Sequence, residues 1–449
     1  MFMKVIIIGA GTAGLAASYT LKKSAIGSLC LEEMNFAGGR IASRNRDGYI
    51  LDTGAQFLFR YYHTYFRLSR ELGLDAELVQ VPFRAGIPPA AGRKPSPVLA
   101  SIRPLDLIKN LPELLRFRGV PLKAIFELLK VAPDIIKRTG KLDFIDYEAS
   151  LDLDAISLAD FTLKKAGNSL LEHVFQPVAS CMTLGEPEDV AANYGLALLL
   201  YCINGLFSFR RGIGSLSERL YEECKESVRL NTKVKRIVIE DKSVKGVETE
   251  EGFIECKHVI CTATATTATK MIPDLPDTIR KPLETVRYSQ SCHVIFGLEK
   301  RLLPEGWYAV ALPRKFGSAM AGYTESSTKS PFYTPHGAGL VNCFAYGRHA
   351  AELNKMGDED IRRFIIKDIK RFTPDMPDFP KFTEILRFDE AVCTSPPGML
   401  TAISHMKKEG LGDVKGLFLA GEYMYMPSVE GATKSGIDAA DAIIRSMGV

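Results

Sequence analysis

The stretch Lys4-Val5-Ile6-Ile7-Ile8-Gly9-Ala10-Gly11-Thr12-Ala13-Gly14 decides how this chain of 449 residues folds. Val5 to Ile8 make a short apolar run rich in β-branched side chains, the pattern of a strand buried on both faces of a parallel sheet. The run breaks into glycines spaced G-x-G-x-x-G, and Leu15-Ala16-Ala17 continues as a helix of small residues. Gly9 permits the tight turn, Gly11 lets a pyrophosphate approach the backbone, and Gly14 lets helix and strand pack closely, with Ala13 beside it. Free N–H groups and the positive dipole at the helix start then hold the phosphates. The motif is specific only in context: a strand before it, a helix after it and an acid downstream.

The acid is present. A second predicted strand, Ser28-Leu29-Cys30-Leu31, ends in Glu32 and Glu33, and Glu32 stands eighteen residues beyond Gly14. A carboxylate at that place accepts hydrogen bonds from the adenosine ribose hydroxyls, and no arginine stands at the strand end to receive a ribose phosphate.

Length predicts two domains rather than one small core. A formal charge of +4 over so long a chain gives no argument for nucleic acid. Nine scattered cysteines without a C-x-x-C pair argue for a reducing compartment and against a disulfide frame or a zinc site. The N-terminus runs straight into the first strand without a signal-peptide pattern, and the most apolar run, 194–203, is too short to span a bilayer. A cytoplasmic location, with peripheral membrane contact left open, is the expectation.

After Glu33, the segment Ala37-Gly38-Gly39-Arg40 suggests a loop lying against a phosphate or ring, with Arg40 as charge partner. With these residues the chain resembles the flavin-containing amine oxidase superfamily, which also holds protoporphyrinogen oxidases and carotenoid-type desaturases. The resemblance implies that the strand-end glutamate and Gly-Gly-Arg bind the adenine half of FAD. It also implies that Asp52-Thr53-Gly54-Ala55-Gln56-Phe57 passes beside the flavin. The fold it implies is α/β: a Rossmann-like, glutathione-reductase-like FAD-binding domain with a parallel sheet and helices, plus an α+β substrate domain with a helical cap. Residues 1–75, 205–275 and 390–449 would form the first, and 76–204 and 276–389 the second.

Helical periodicity dominates 61–201, where Pro95, Pro97, Pro104, Pro112, Pro121 and Pro133 divide the stretch into short helices. Within 101–141, apolar positions alternate with basic ones. That pattern suits either a helical cap with a solvated face or a surface lying on anionic lipid. Arg211-Gly212-Ile213-Gly214 then returns the chain to the cofactor domain. The alternating run from Val228 to Ile237 reads as a strand, with the Val234 backbone meeting adenine by resemblance. Further on, residues 358–372 show an amphipathic helix with Ile361, Phe364, Ile365, Ile369 and Phe372 on one face.

At the C-terminus, an apolar strand ends in Gly421-Glu422, and Ser428-Val429-Glu430-Gly431-Ala432 opens a helix with small residues at Ser435, Gly436, Ala439 and Ala440. By resemblance, Glu422 holds the ribityl or pyrophosphate part of FAD. The helix start would face the pyrimidine end of the flavin, where its dipole stabilises the anion formed on hydride transfer. No cysteine lies in the loop 423–429, so the expected FAD is non-covalent.

The amine-oxidising branch carries an aromatic cage and a lysine, and this chain departs from both. Ser428 stands at one cage position, Ala391-Val392-Cys393-Thr394-Ser395 offers no ring at the other, and His293 takes the place of the lysine. His293 is either a general base or proton relay, or a satisfied structural residue. Tyr423 and Tyr425, with Ser428, are candidates to line the substrate cavity, although both tyrosines suit packing equally. The resemblance implies an FAD-dependent oxidoreductase taking a hydride equivalent from a bulky, largely apolar substrate. A flavin amine or amino-acid oxidase with a nonstandard cage is the runner-up, and a lipid-binding protein like the GDP-dissociation inhibitors is the non-enzyme alternative.

Overall fold

A computed structural model of the chain describes residues 5–82, 84–88, 95–99, 120–202 and 205–448. The first sheet is assembled from both ends of the sequence. Its strands are β1 (Val5–Ile8), β2 (Ser28–Leu31), β3 (Val228–Arg229), β4 (His258–Cys261) and β5 (Leu417–Leu419), in the spatial order β3-β2-β1-β4-β5. Every pairing is parallel. Val5, Ile6 and Ile7 are completely buried, as expected where both faces of a parallel sheet are covered. The run expected as one strand from Val228 to Ile237 divides instead. Val228–Arg229 joins this sheet, and Val234–Glu240 leaves to pair with Ser243–Thr249 in an antiparallel meander.

Helix α1 (Thr12–Lys23) follows β1, and the C-terminal helix (Val429–Ser446) packs along it. They approach so closely that a Cβ on Gly436 would lie 2.0 Å from the Ala13 carbonyl oxygen. Only a glycine there allows backbone against backbone.

The second large sheet has seven strands. In space they run Phe382–Cys393, Tyr288–Leu298, Gly339–Tyr346, Met320–Glu325, Trp307–Ala311, Arg84–Ile87 and Ser96–Leu99. Along Tyr288–Leu298 the period of two sorts the side chains. Cys292, Val294 and Phe296 face the core built with Ile361, Ile365, Ile366 and Ile369 of the helix Asp358–Lys370, whereas Ser291 and His293 face a cavity. Phe364, expected on the buried face of that helix, is exposed, and Ile366 takes its place.

The stretch 61–201, expected to be dominated by helices, also contains three strands, Leu78–Val81, Arg84–Ile87 and Ser96–Leu99. Pro133 does not end a helix either, because Leu122–Arg138 runs through it. Of the basic amphipathic segment 101–141, residues 101–119 lie outside the described residues.

A buried ion pair joins the end of the strand Tyr49–Asp52, which pairs with Ser43–Arg46, to the loop after the short turn Ser326–Thr328. Lys329 Nζ lies 2.7 Å from Asp52 Oδ2, and neither side chain has any exposed surface. Asp52 also accepts from the Tyr333 hydroxyl, the Ser43 hydroxyl and the Ile213 N–H. Lys329 donates besides to Gln56 Oε1 and lies over the rings of Tyr308 and Tyr333. Burial pulls the Lys329 pKa down, opposed by Asp52. Lys329→Met strands a buried carboxylate and is expected to cost about 3–5 kcal/mol. The double variant Asp52→Asn/Lys329→Met is expected to recover part of that loss in urea denaturation, and equal midpoints for single and double variants would contradict the pair's role.

Candidate functional site

The two ends of the chain meet at one cavity of about 1720 Å³. Gly9, Gly11, Ala13, Glu32, Glu33, Gly39, Arg40, Gly54, Ala55, Gln56, Phe57, Val234, Gly421, Glu422, Ser428, Val429 and Ala432 all line it. The three motif glycines divide their work as their spacing predicts. Gly9 has φ of +95°, and a Cβ there would meet Thr262 Oγ1 at 2.8 Å. A Cβ on Gly14, which does not reach the cavity, would collide with the Gly9 carbonyl at 1.9 Å, so Gly14 serves helix–strand packing. Nothing lies within 4 Å of the Cβ position at Gly11, which leaves open space over its backbone.

Glu32 is held from behind. Its two carboxylate oxygens accept the N–H groups of Ala10 at 2.7 Å and Met34 at 2.9 Å. Burial raises its pKa, and those N–H donors oppose the rise. A carboxylate has about four lone-pair sites, so it retains capacity for ribose hydroxyls. Glu33 is more exposed and pairs with Lys233 at 3.0 Å.

The N-terminal and C-terminal motifs are joined directly by an ion pair of 2.7 Å between the Arg40 guanidinium and Glu422 Oε2. The other oxygen, Glu422 Oε1, is buried and lacks a partner among the described residues. A buried acceptor without a donor costs free energy, and a polyhydroxylated chain lying in the cavity supplies one. Together with the bare backbone at Gly11, this vacant acceptor fits a flavin dinucleotide: hydroxyls to Glu422 and Glu32, pyrophosphate to the turn between β1 and α1.

Four expectations need revision. Tyr423 and Tyr425 do not line the cavity. Tyr423 is fully buried against Gly421, and Tyr425 packs under Lys407 Nζ at 3.7 Å while its hydroxyl bonds Asp438. Glu430 and Gly431 are turned away as well. Both Glu430 oxygens accept N–H groups, from Thr64 at 2.7 Å and Tyr65 at 2.8 Å, in the first turn of the helix His63–Glu71. It therefore caps another helix, whose free donors and dipole favour an anion. The Gly431 N–H is taken by the N-cap hydroxyl of Ser428. Cofactor contact from this helix falls to Ser428, Val429 and Ala432.

His293 lines the cavity but does not present a nitrogen to it. Nε2 lies 2.9 Å from Asn342 Oδ1, Nδ1 lies 3.4 Å from the Thr53 carbonyl, and the ring stacks on Phe344. Burial pushes its pKa down to about 4, so the ring is neutral at pH 7. A neutral ring has one N–H, which Nε2 donates to Asn342 Oδ1, so Nδ1 turns only a lone pair toward the Thr53 carbonyl. The ring is anchored on Asn342 and stacked on Phe344 rather than placed to move a proton. Gln56 likewise turns its amide away from the cavity, its Nε2 donating to the Asp52 and Gly54 carbonyls.

Lys329 was invisible to motif reading, because a lone lysine in a loop has no spacing signature. Thr262 and Thr264 also line the cavity, and they stand in a threonine- and alanine-rich run, residues 262–269, that carries no motif.

These features define an FAD-dependent oxidoreductase. The chain belongs to the flavin containing amine oxidoreductase family, whose model matches residues 12–444, and FAD is its cofactor. Mitochondrial protoporphyrinogen oxidase of Nicotiana tabacum is 24% identical to it over 98% of this chain and 94% of that protein. Zeta-carotene desaturase of Synechocystis sp. is 25% identical over 98% and 97%. Among solved structures, putrescine oxidase bound to putrescine superposes with a TM-score of 0.77 at 14% identity, covering 99% of both chains. Cyclohexylamine oxidase from Brevibacterium oxydans gives 0.76 at 16%, covering 100% of both. At such identities the structural likeness establishes the fold.

The buried imidazole has a consequence in acid. The folded ring resists protonation and the unfolded one does not. Its contribution is therefore complete above about pH 6.5 and is lost as pH falls toward about 4. Wild-type protein should lose roughly 3 kcal/mol more than His293→Gln across that interval. Parallel acid-stability curves for the two would refute the assignment.

Proposed function

We propose that this flavoprotein oxidises a bulky, largely apolar substrate, removing a hydride equivalent from a C–H bond in the manner of a desaturase or a porphyrinogen-type oxidase. The observation that carries this reading is the cavity's continuation beyond the cofactor motifs. It passes between Leu128, Ala132 and Ile135 on one side and Val174, Pro177, Val178 and Met182 on another. Its volume exceeds the ~300–1,000 Å³ usual for a small-molecule site, which leaves room for a large substrate beside a dinucleotide. Where an amine cage would need rings, Ala391, Val392, Cys393 and Ser428 form the lining.

When bound, the flavin supplies the two-electron acceptor, and oxygen or another acceptor restores it. The protein's own residues position and exclude. Glu32 and the turn between β1 and α1 hold the adenosine and pyrophosphate, Arg40 and Glu422 fix the middle, and Ser428, Val429 and Ala432 bring a helix start to the ring end. The apolar walls keep water from the C–H bond to be broken.

The purified protein should be yellow and release its FAD into the supernatant on acid precipitation. Mixed anaerobically with a reduced tetrapyrrole, a polyene precursor and a panel of amines, it should be bleached by a member of the first two classes. Rapid bleaching by amines alone would overturn the reading in favour of an amine oxidase.

The same wall offers a lipid contact. Leu122, Phe126 and Leu129 are 73%, 66% and 62% exposed on the helix Leu122–Arg138, whose other side lines the cavity, and Ile136, 72% exposed, stands at the cavity's edge. Lys123, Lys130 and Lys137 stand among them. We infer that this helix rests on an anionic bilayer surface and admits substrate from it. No helix among the described residues is long and apolar enough to cross a membrane. The protein should sediment with phosphatidylglycerol-containing vesicles more than with pure phosphatidylcholine, and Phe126→Glu/Leu129→Glu should abolish this. Unchanged sedimentation of the double variant, or self-association through this face in place of vesicle binding, would contradict it.

A further inference from the structure

The apolar half of the cavity carries one imidazole. The chain begins a helix at Asn168–Leu170, widens into a π-helix over Leu171–Phe175, and tightens again over Gln176–Thr183. A π turn inserts an extra residue and re-aims the side chains around it. His173 is in the middle of that turn and lines the cavity beside Val174 and Pro177. Among the described residues that line the cavity from 120–139 and 168–182, it is the only one whose side chain bears a nitrogen. The other polar groups there are engaged, the Thr139 hydroxyl with the Ile135 carbonyl and the Cys181 thiol with the Ala321 carbonyl.

The protonation pattern of the ring follows from its one partner. Nδ1 lies 2.8 Å from the Ser169 carbonyl oxygen, and a carbonyl only accepts, so Nδ1 carries the hydrogen. Burial lowers the ring's pKa. The bond to Ser169 opposes that, as do Glu172 and Glu127, while Lys315 adds to it. The ring is therefore neutral near pH 7, and Nε2 presents a lone pair. No described residue donates to Nε2. An apolar body filling this part of the cavity would desolvate that lone pair at a cost, unless it brought a donor of its own.

We propose that His173 is a specificity-determining residue, whose Nε2 accepts a hydrogen bond from a hydroxyl group on an otherwise apolar substrate. A carboxylate, which only accepts, is disfavoured at the same place. The inference rests on the apolar-substrate reading above, and it adds the position and polarity of the substrate's one polar group.

The test is calorimetric titration of the FAD-loaded protein with 1-undecanol, with its donor-free isostere 1-methoxydecane, and with undecanoate. His173→Leu should weaken the alcohol roughly five- to tenfold, the worth of one hydrogen bond, and leave the ether unchanged or tighter. His173→Gln, whose amide oxygen also accepts, should restore part of the alcohol affinity. Retained flavin absorbance and circular dichroism establish that both variants fold. Equal loss for alcohol and ether, no loss for the alcohol, or tighter binding of undecanoate than of the alcohol by the wild type would overturn the proposal while leaving the apolar reading intact. Failure of the wild type to bind any of the three would instead overturn the apolar reading, and this proposal with it.

Discussion

The first and last helices of the chain approach until a methyl group no longer fits between them. At Gly436 a Cβ would sit 2.0 Å from the Ala13 carbonyl. That contact brings the C-terminal strand beside β4 and sets Glu422 within 2.7 Å of Arg40. The site is therefore a product of closure. The pyrophosphate turn comes from the beginning of the sequence, the ring-facing helix from its end, and neither is complete alone. A helix start carries roughly half a positive charge. Two such starts, at Thr12 and Val429, are aimed into one cavity by this single packing constraint.

Around that closure the protein keeps three of its charges behind the walls. Asp52, Lys329 and Glu430 are all buried, and each is answered by at least two partners. None of the three presents its charge to the cavity. They fix the backbone that does: Asp52 and Lys329 hold the loop 52–57, and Glu430 holds the start of the helix His63–Glu71. His293 belongs with them, anchored on Asn342 of the neighbouring strand in the second sheet. The result is a cofactor wall stiffened by elements far apart in the chain, which suits a reaction in which the organic chemistry is the cofactor's and the protein supplies position and electrostatics.

The helical half of the cavity follows another logic. Among the described residues that line it from 120–139 and 168–182, the side chains are hydrocarbon and sulfur apart from His173 and the internally bonded Thr139 hydroxyl, and the helix Leu122–Arg138 turns a second apolar face outward. A wall that is apolar inside and outside marks a boundary between two greasy phases. A neutral imidazole within it is an address for a polar group that has no other partner there.

Much of the cofactor half was legible in the sequence, for a physical reason. Phosphate and ribose recognition relies on local backbone geometry: a φ that only glycine adopts comfortably at Gly9, a missing Cβ over Gly11, a strand-end carboxylate at Glu32. Such requirements are written at short spacing, and β1, β2 and the C-terminal strand emerged close to where the apolar runs put them. Side-chain direction was not legible in the same way. That Glu430 caps a distant helix, that His293 spends its N–H on Asn342 and that Lys329 meets Asp52 depend on partners 49 to 366 positions away in the chain. Pro133 sits inside a helix because packing of the buried face, at Ala124, Val131 and Ile135, holds together what an isolated helix would not. By itself the sequence determined the cofactor class and the parallel cradle that holds it, because those follow from local conformation. Only the tertiary structure decided which carboxylates face the cofactor and which serve as internal caps, because long-range packing orients side chains that local pattern merely places.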